Sequence, residues 1–353
     1  MAGEITLDEY RYAEIYPSFK AGTDEKVLTA TINRRFIRQL GNEGIVLVGS
    51  APIRVADIGC GPCDTLVKYL SELDFPPGFI VRATDFNPAY ADPVHGAAVE
   101  TLNAAKVART IPLMDFAVQA GDAFAGHLRR LLTTHDERTP PRFRLVYSSH
   151  LLYHAATIAD CEQLLADISG NILAPDGVCL LYHLAKTPHT FQDFRDRYGR
   201  KPDDAGRSDT PAVAISDPAA VIDVCCAKLG VPLAQLDFSA RLRFTSLRNA
   251  WDVFKDIEKF AAIRRDDPAA YEDLKRLFFV VQRAPREFAA DQSATGLDAF
   301  IDEIRPLIES HGGYLPLSEK MQVVWRPDAP AGFSEEIIAA LDATLLRSGD
   351  SHD

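Results

Sequence analysis

Tryptophan (two residues), methionine (three) and cysteine (six) are all scarce in this chain of 353 residues. Six cysteines spread over such a length exclude a disulfide scaffold, which needs them far more densely. Also missing is any apolar run near the ~20 residues that span a bilayer. Two of the longest runs, 45–48 and 277–281, have the length of a strand or a short helix. The opening MAGEITLDEYRYAE is acidic and polar, without the basic and apolar blocks of a secretory signal, so the expected compartment is the cytoplasm. Positive charge is in deficit as well. A formal net charge of −12 argues against nucleic acid as the main partner, because phosphate binding needs a positive surface. The small basic cluster Arg241, Arg243 and Arg248 reads as a solvated strand edge. Internal repeats and low-complexity tracts are absent.

What is present is a core: 47% of the residues are hydrophobic, enough for one large α/β domain with additions or two modest domains. Residues 7–40 read as helical, with a break at Pro17, a new start near Thr23-Asp24-Glu25 and an end at Gly41. From residue 53 strands and helices alternate. Strands are expected at 54–58, 79–84, 115–119, 143–149 and 178–183, and helices at 64–73, 97–108, 127–133 and 161–173. Pro175-Asp176-Gly177 reads as a turn before the fifth strand. After His189 come a polar connection over 191–215, a helix over 217–229, a sixth strand over 236–244 and an almost wholly helical stretch over 247–311. A last strand at 321–325 and a helix at 334–346 follow. The alternation implies βαβ units with right-handed crossovers. The expected fold is α/β: a Rossmann-like, seven-stranded, mostly parallel sheet with an N-terminal helical cap and a helical insertion before the last strand. The corresponding segments are the cap 1–42, the core 43–190, a lid, sixth strand and insertion over 191–315, and the closing strand and helix over 316–353.

The most informative segment is Val55-Ala56-Asp57-Ile58-Gly59-Cys60-Gly61-Pro62-Cys63-Asp64. It ends a strand and opens a helix, where the backbone must turn tightly and come close to a ligand. Gly59 and Gly61 permit both. A dinucleotide fingerprint wants glycine where Asp64 stands, so a pyrophosphate at this helix is disfavoured. The carboxylate of Asp57 suits an ammonium group better than a phosphate, or serves as turn scaffolding. Asp85, ending the second strand, can accept from both hydroxyls of a ribose. Asp122, in Gly121-Asp122-Ala123-Phe124 after the third strand, can take an exocyclic amine, with Phe124 along the ring. Ser148-Ser149-His150 ends the fourth strand beside the expected crevice. Each of these alone is an ordinary turn or cap residue; their order after successive strands is the signal.

These residues together resemble the class I S-adenosylmethionine-dependent methyltransferases. Asp57-Ile58-Gly59-Cys60-Gly61 matches the first motif, Asp85 the acidic position after the second strand and Asp122 the adenine position. Leu173-Ala174-Pro175-Asp176-Gly177 matches the turn before strand five, and Cys63 stands where the family pattern has a third glycine. The resemblance spans about 53–185 and implies S-adenosyl-L-methionine as cofactor, held by Asp57, Gly59, Gly61, Asp85, Asp122, Ala123, Phe124 and Ser148. It also implies a small-molecule methyl acceptor as the partner.

A more diffuse resemblance, to the histamine N-methyltransferase group, runs through Tyr12-Ala13-Glu14 to Phe19, Thr23-Asp24-Glu25, Ser149 to His154, Phe191 to Tyr198-Gly199, and 320–325. It implies Glu25 as the carboxylate receiving a cationic amine, Tyr153 as an aromatic wall and Phe191 as a lid residue. His150, His154 and Glu319 stand at or near positions where that group has other polar residues, so the implied acceptor differs from histamine. Methyl transfer from a sulfonium needs near-attack geometry above all. An amine must also lose its proton, which Glu25, His150 or His154 can take. An oxygen nucleophile with a histidine base is the alternative, as are non-methylating use of the cofactor and a non-catalytic binder. Glu25 is equally at home in the first turn of a helix. His150 and His154 share a face if a helix starts there, yet two histidines without a third ligand make a poor zinc site, and no metal is expected. Cys60-Gly61-Pro62-Cys63 also spells a thioredoxin-type dithiol, whose first thiol a helix N-terminus would acidify. The tryptophan expected before it is missing. Cys225-Cys226 is expected to be a buried helix pair.

Overall fold

A glycine turn or short helical connection after each β-forming run yields seven strands: β1 (Ile53–Ile58), β2 (Phe79–Asp85), β3 (Leu113–Ala120), β4 (Phe143–Ser149), β5 (Leu173–Leu184), β6 (Leu233–Arg243) and β7 (Tyr314–Trp325). In this computed structural model, residues 12–42, 44, 46–47, 49–135, 137, 140–199, 215, 217–254, 259–281 and 296–346 are described. The strands form one sheet in the order β3-β2-β1-β4-β5-β7-β6. Neighbours from β3 to β5 are parallel, with Asp57 level with Ala83 on one side and Tyr147 on the other. β1, β2 and β4 are buried almost throughout, as strands covered by helices on both faces must be. This is the expected Rossmann-like α/β class. Placing β7 between β5 and β6 departs from the 3-2-1-4-5-6 order of dinucleotide folds.

The helices, in chain order, are α1 (Tyr12–Gly22), α2 (Glu25–Asn42), α3 (Asp64–Ser71), α4 (Pro88–Ala91), α5 (Ala97–Ala108), α6 (Leu128–Leu131) and α7 (Ile158–Asp167). They continue with α8 (Phe191–Tyr198), α9 (Pro218–Leu229), α10 (Leu247–Phe254), α11 (Phe260–Asp266), α12 (Pro268–Val281), α13 (Leu297–Ser310) and α14 (Phe333–Leu346). None of the described helices is long and apolar enough to cross a membrane. The chain divides into two compact units. A sheet unit comprises Lys26–His183, Asp217–Asp237 and Lys320–Asp353; a helical unit comprises Met1–Glu25, Leu184–Ser216 and Phe238–Glu319.

In the sheet unit, Tyr69, Tyr147 and Tyr182 form a buried aromatic cluster with centroids 5.3 and 5.5 Å apart, and the Tyr182 hydroxyl donates to Asn33 Oδ1 at 3.3 Å. Arg82, 5% exposed, pairs with Asp115 at 2.9 Å and Glu137 at 3.3 Å. Burial alone would raise Glu137, but the Thr134 N–H and the guanidinium groups of Arg54 and Arg82 hold it down at about 2. The helical unit is built on rings. Phe19 stacks on Phe279 at 4.1 Å and meets Phe191 at 5.6 Å, while Phe254, Phe278 and Phe300 make a second cluster. The fully buried Asp273 accepts from the backbone of Thr245 and Ser246 and pairs with Arg276, which also donates to Ser18 O and Arg243 O. One ion pair thus ties α1 and the end of β6 to α12.

Several expectations need correction. α1 runs straight through Pro17, because losing one backbone bond is offset by packing of Tyr16 and Phe19 on Phe279 and a Ser18–Glu272 hydrogen bond. The break comes at Thr23-Asp24 instead, where Thr23 bridges Leu242 and Asp24 accepts from Arg241 N at 2.7 Å. The helix expected over 161–173 stops at Asp167 and gives way to a π turn, Ile168–Ile172, with Ser169 Oγ donating to Leu165 O. Pro175-Asp176-Gly177 lies inside β5, absorbed where the register slips from Phe143–Leu173 to Leu145–Val178. β7 begins at Tyr314 rather than 321: Leu315, Leu317, Glu319 and Met321 are buried in alternation. Arg241 and Arg243 are exposed on β6, at the sheet edge, and Cys225 and Cys226 are buried in α9. Parts of the polar connection (200–214) and of the helical stretch (255–258 and 282–295), like the side chains of Tyr12, Ala13 and Glu14, lie outside the described residues.

Candidate active site

Because β1 to β5 are parallel, the turns that follow them share one edge of the sheet. Chain direction across the sheet reverses between β1 and β4, and outside the carboxyl ends at such a switch point α/β sheets bind ligands. The turn after β1 is bent against β2 by Gly59 N and Cys60 N, which both donate to Thr84 O, at 2.8 and 3.0 Å. Gly59 and Gly61 have φ of 74° and 50°, the left-handed region that glycine alone enters freely. The two differ in what a side chain would meet. At Gly59 a Cβ would stand 2.9 Å from Leu151 Cδ1, so the leucine side chain would have to shift. At Gly61 nothing lies within 4 Å, so the backbone there fronts open space.

Two buried carboxylates stand near this turn, Asp57 close to the end of β1 and Asp85 at the end of β2. Asp85, 7% exposed, accepts from Gly61 N through Oδ2 and from Asn87 N through Oδ1, both at 2.9 Å. Each oxygen keeps a second lone pair for a ligand hydroxyl. Its pKa is raised by burial, which outweighs the Asn87 and Gly61 N–H groups. Asp57, also 7% exposed, is pushed up to about 7, by burial first and the Asp85 charge second, with Lys26 pulling the other way. A carboxyl balanced in this way ionises readily when a cation arrives.

The thiols of the same turn are the opposite of activated. Cys60 is raised by its hydrogen bond with Cys63, by burial and by Asp57 and Asp85. Cys63 is raised too, because burial and the two carboxylates outweigh the bond from Cys60. The acidification expected of a helix N-terminus is overridden by these charges, and a thioredoxin-type role loses its chemical basis.

After β3, Asp122 is exposed and its Oδ1 accepts from Phe124 N at 2.9 Å, with Ala123 buried and Phe124 half-buried. After β4, Ser148 is buried and His150 sits at φ 56°, a strained conformation for a non-glycine residue. Its N–H donates to Tyr182 O at 2.8 Å, and its ring lies nearly parallel to Tyr153, centroids 6.1 Å apart. His150 and His154 do not share a helical face: the left-handed turn at His150 comes first, and only Leu152–His154 form a short 3-10 turn. His154 is exposed, 6.0 Å from the ring of Phe86. Phe86 was not foreseen as a site residue. It follows Asp85 directly and is 55% exposed, a bare aromatic on the ligand edge; its position next to the acidic residue was the available signal.

In the helical unit, Glu25 opens α2, its N–H bonded to Thr23 Oγ1 at 3.1 Å. It is not a solvated first-turn carboxylate: Glu25 is 3% exposed and Glu319 1% exposed, and their carboxylate oxygens lie within 4.8 Å of each other. Two buried carboxylates that close favour a cation or a shared proton between them. Phe191 is fully buried among Phe19 and Phe279.

No family model and no curated protein matches this chain. Among solved structures it is similar to a Galdieria sulphuraria protein proposed as a sarcosine dimethylglycine methyltransferase (14% identity, 83% of this chain and 84% of that one, TM-score 0.42). It is also similar to the Haemonchus contortus phosphoethanolamine N-methyltransferase 2 (16% identity, 78% and 49%, TM-score 0.36). A third similar structure is an O-methyltransferase family protein from Burkholderia thailandensis (14% identity, 57% and 52%, TM-score 0.37).

Proposed function

We propose that this chain is an S-adenosyl-L-methionine-dependent methyltransferase acting on a small molecule, with an amine or imidazole nitrogen as the preferred acceptor. The observation that carries this reading is the open space at Gly61, whose N–H is bonded to Asp85, in the turn that follows Asp57. A residue in left-handed conformation at the switch point, with no atom within 4 Å of where its Cβ would be, leaves room for a ligand to approach the backbone. Asp57 is suited to an ammonium group and Asp85 to a ribose diol, a pairing that fits an amino acid joined to a nucleoside. Asp122, Ala123, Phe124 and Ser148 are the proposed contacts of the base and neighbouring parts. When bound, the cofactor supplies a methyl group activated on a sulfonium.

The protein's own contribution is then positional. The methyl acceptor must lie in line with the methyl group, close to contact distance, which supplies most of the acceleration. Glu25 and Glu319 are proposed to receive the cationic acceptor, because a buried carboxylate pair attracts positive charge; Tyr153 and Phe191 are proposed to wall it. Glu25, His150 or His154 would take the proton the nucleophile loses. A second reading, transfer to oxygen with a histidine base, is favoured by the strained backbone of His150 at a strand end.

The test is formation of S-adenosylhomocysteine from S-adenosyl-L-methionine against a panel of amines, imidazoles, phenols and catechols, each product identified by mass. Methylated amines support the main reading and methylated hydroxyls the second. Cofactor binding without turnover on any acceptor would leave a binding protein.

A further inference from the structure

His183 is the penultimate residue of β5, next to Tyr182, whose carbonyl holds His150. It is 2% exposed, and it belongs to a chain of hydrogen bonds that runs outward from the sheet. Its Nε2 lies 2.7 Å from Gln322 Oε1. The amide nitrogen of Gln322 donates to Asp223 Oδ1 at 2.7 Å and to Ala219 O at 3.3 Å. Both of those partners can only accept, so the amide orientation of Gln322 is set and its oxygen must face the imidazole. His183 therefore carries its hydrogen on Nε2, and Nδ1 is left with a bare lone pair. No hydrogen bond reaches Nδ1 among the described residues.

A buried imidazole locked in one tautomer, with its second nitrogen unused, is an acceptor awaiting a donor. It also stays an acceptor. Burial first, with the nearby charges of His150 and Lys320 adding to it, holds its pKa down at about 3 against the bond to Gln322, so protonation never removes the lone pair near neutrality. The same weakness in basicity excludes it as the group that takes the acceptor's proton.

We propose that His183 is a contact residue for the methyl acceptor, its Nδ1 accepting a hydrogen bond from an N–H or O–H on the nucleophilic atom, with Gln322 and Asp223 as positioning residues. The inference rests on the methyltransferase reading and narrows its substrate class. The acceptor must carry a hydrogen on the nucleophilic atom in its neutral, reactive form, so primary and secondary amines and hydroxyls qualify, whereas tertiary amines, thioethers and imidazoles, whose nucleophilic nitrogen is the one without hydrogen, do not. The bond to His183 fixes the rotation of the nucleophile so that its lone pair faces the methyl group. The new N–C or O–C bond forms as the C–S bond breaks, sulfur keeps the electron pair, and the proton leaves to His150 or water.

The experiment uses the full chain and two readouts. First, turnover is compared on primary, secondary and tertiary amines, imidazole, phenol and catechol for the wild type, His183→Phe, His183→Asn and Gln322→Leu, with S-adenosylhomocysteine affinity measured alongside. His183→Phe should lower kcat/KM about thirtyfold or more with cofactor affinity unchanged. His183→Asn, which keeps an acceptor at the Nδ1 position, should recover at least part of it, and Gln322→Leu should fall between. Wild-type turnover in His183→Phe, or turnover on tertiary amines equal to that on secondary ones, overturns the proposal. Second, the ¹⁵N resonance of His183 Nδ1 is followed in wild-type protein loaded with S-adenosylhomocysteine as each panel compound is added. At least one N–H or O–H compound should shift it, and a thioether added in the same way, which carries no donor in any protonation state, should not. Absence of a shift with every compound overturns the proposal even if a variant was inactive through misfolding. Absence of wild-type turnover on the whole panel would sink the methyltransferase reading, and the resonance would still decide whether His183 meets a donor.

Discussion

The sheet unit and the helical unit bury charge in different ways, and the difference separates two kinds of site. In the sheet unit the candidate groups stand at the ends of successive parallel strands. Their carboxylates are tied to backbone N–H groups or held near neutrality, as with Asp85 on Gly61 and Asn87 or Asp57 at about 7. In the helical unit the buried acid Asp273 is held by Arg276 and two backbone N–H groups, and the carboxylate oxygens of the buried Glu25 and Glu319 lie within 4.8 Å of each other. In the proposed reading the first arrangement, built by backbone conformation, holds the cofactor, and the second, built by side chains from distant segments, receives the acceptor.

The sharpest way to break that division is at Glu25. Glu25→Gln keeps the shape and removes the charge. It should lower kcat/KM for a cationic acceptor by about 10²-fold or more, given that bonds to charged groups are worth ~1.5–3 kcal/mol, and leave cofactor affinity nearly unchanged. Untouched acceptor kinetics would make Glu25 a packing residue and favour an oxygen acceptor with a histidine base.

A comparable effect, confined to the sheet unit, is expected from pH. Asp57 is protonated in the free protein below about 7, but it must be ionised to hold an ammonium group. Cofactor binding should therefore release a proton and weaken about tenfold per pH unit below 7, reaching about a hundredfold between pH 7 and pH 5. For folding the sign is opposite. The raised pKa favours the folded state at low pH, fully below the unfolded value near 3.8, and that contribution is lost as pH rises through about 7. Calorimetry in buffers of different ionisation heat measures the released proton; a pH-independent affinity would detach Asp57 from the ammonium.

The smallest effect should come from the thiols. Replacing Cys60 by Ser and Cys63 by Ala together should change turnover by no more than about twofold to threefold, since the turn depends on Gly59 and Gly61 and both thiols are raised out of the reactive range. Insulin-disulfide reduction by the wild type that the double variant lacks would restore the redox reading.

The same contrast explains what could be read from the chain. The turn around Gly59 and Gly61, Asp85 and Asp122 were legible because each follows a strand whose pattern is local, so counting strands places them on one edge. β7 was cut short because Glu319 and Pro316 interrupt its apolar alternation, although Glu319 is buried in register. The break expected at Pro17 moved to Thr23, because packing on α12 was invisible locally. The partnership of Glu25 with Glu319 and the lock on His183 by Gln322 join residues far apart in sequence, and no spacing rule announces such pairs.

The most direct measurement is calorimetric titration of the wild type and Asp85→Ala with S-adenosyl-L-methionine, and with NAD as a control. The wild type should bind one S-adenosyl-L-methionine and no NAD, and Asp85→Ala should lose about 1.5–3 kcal/mol of that affinity while remaining folded. Preference for NAD, or equal S-adenosyl-L-methionine affinity in the two proteins, would contradict a nucleoside held between Asp57 and Asp85.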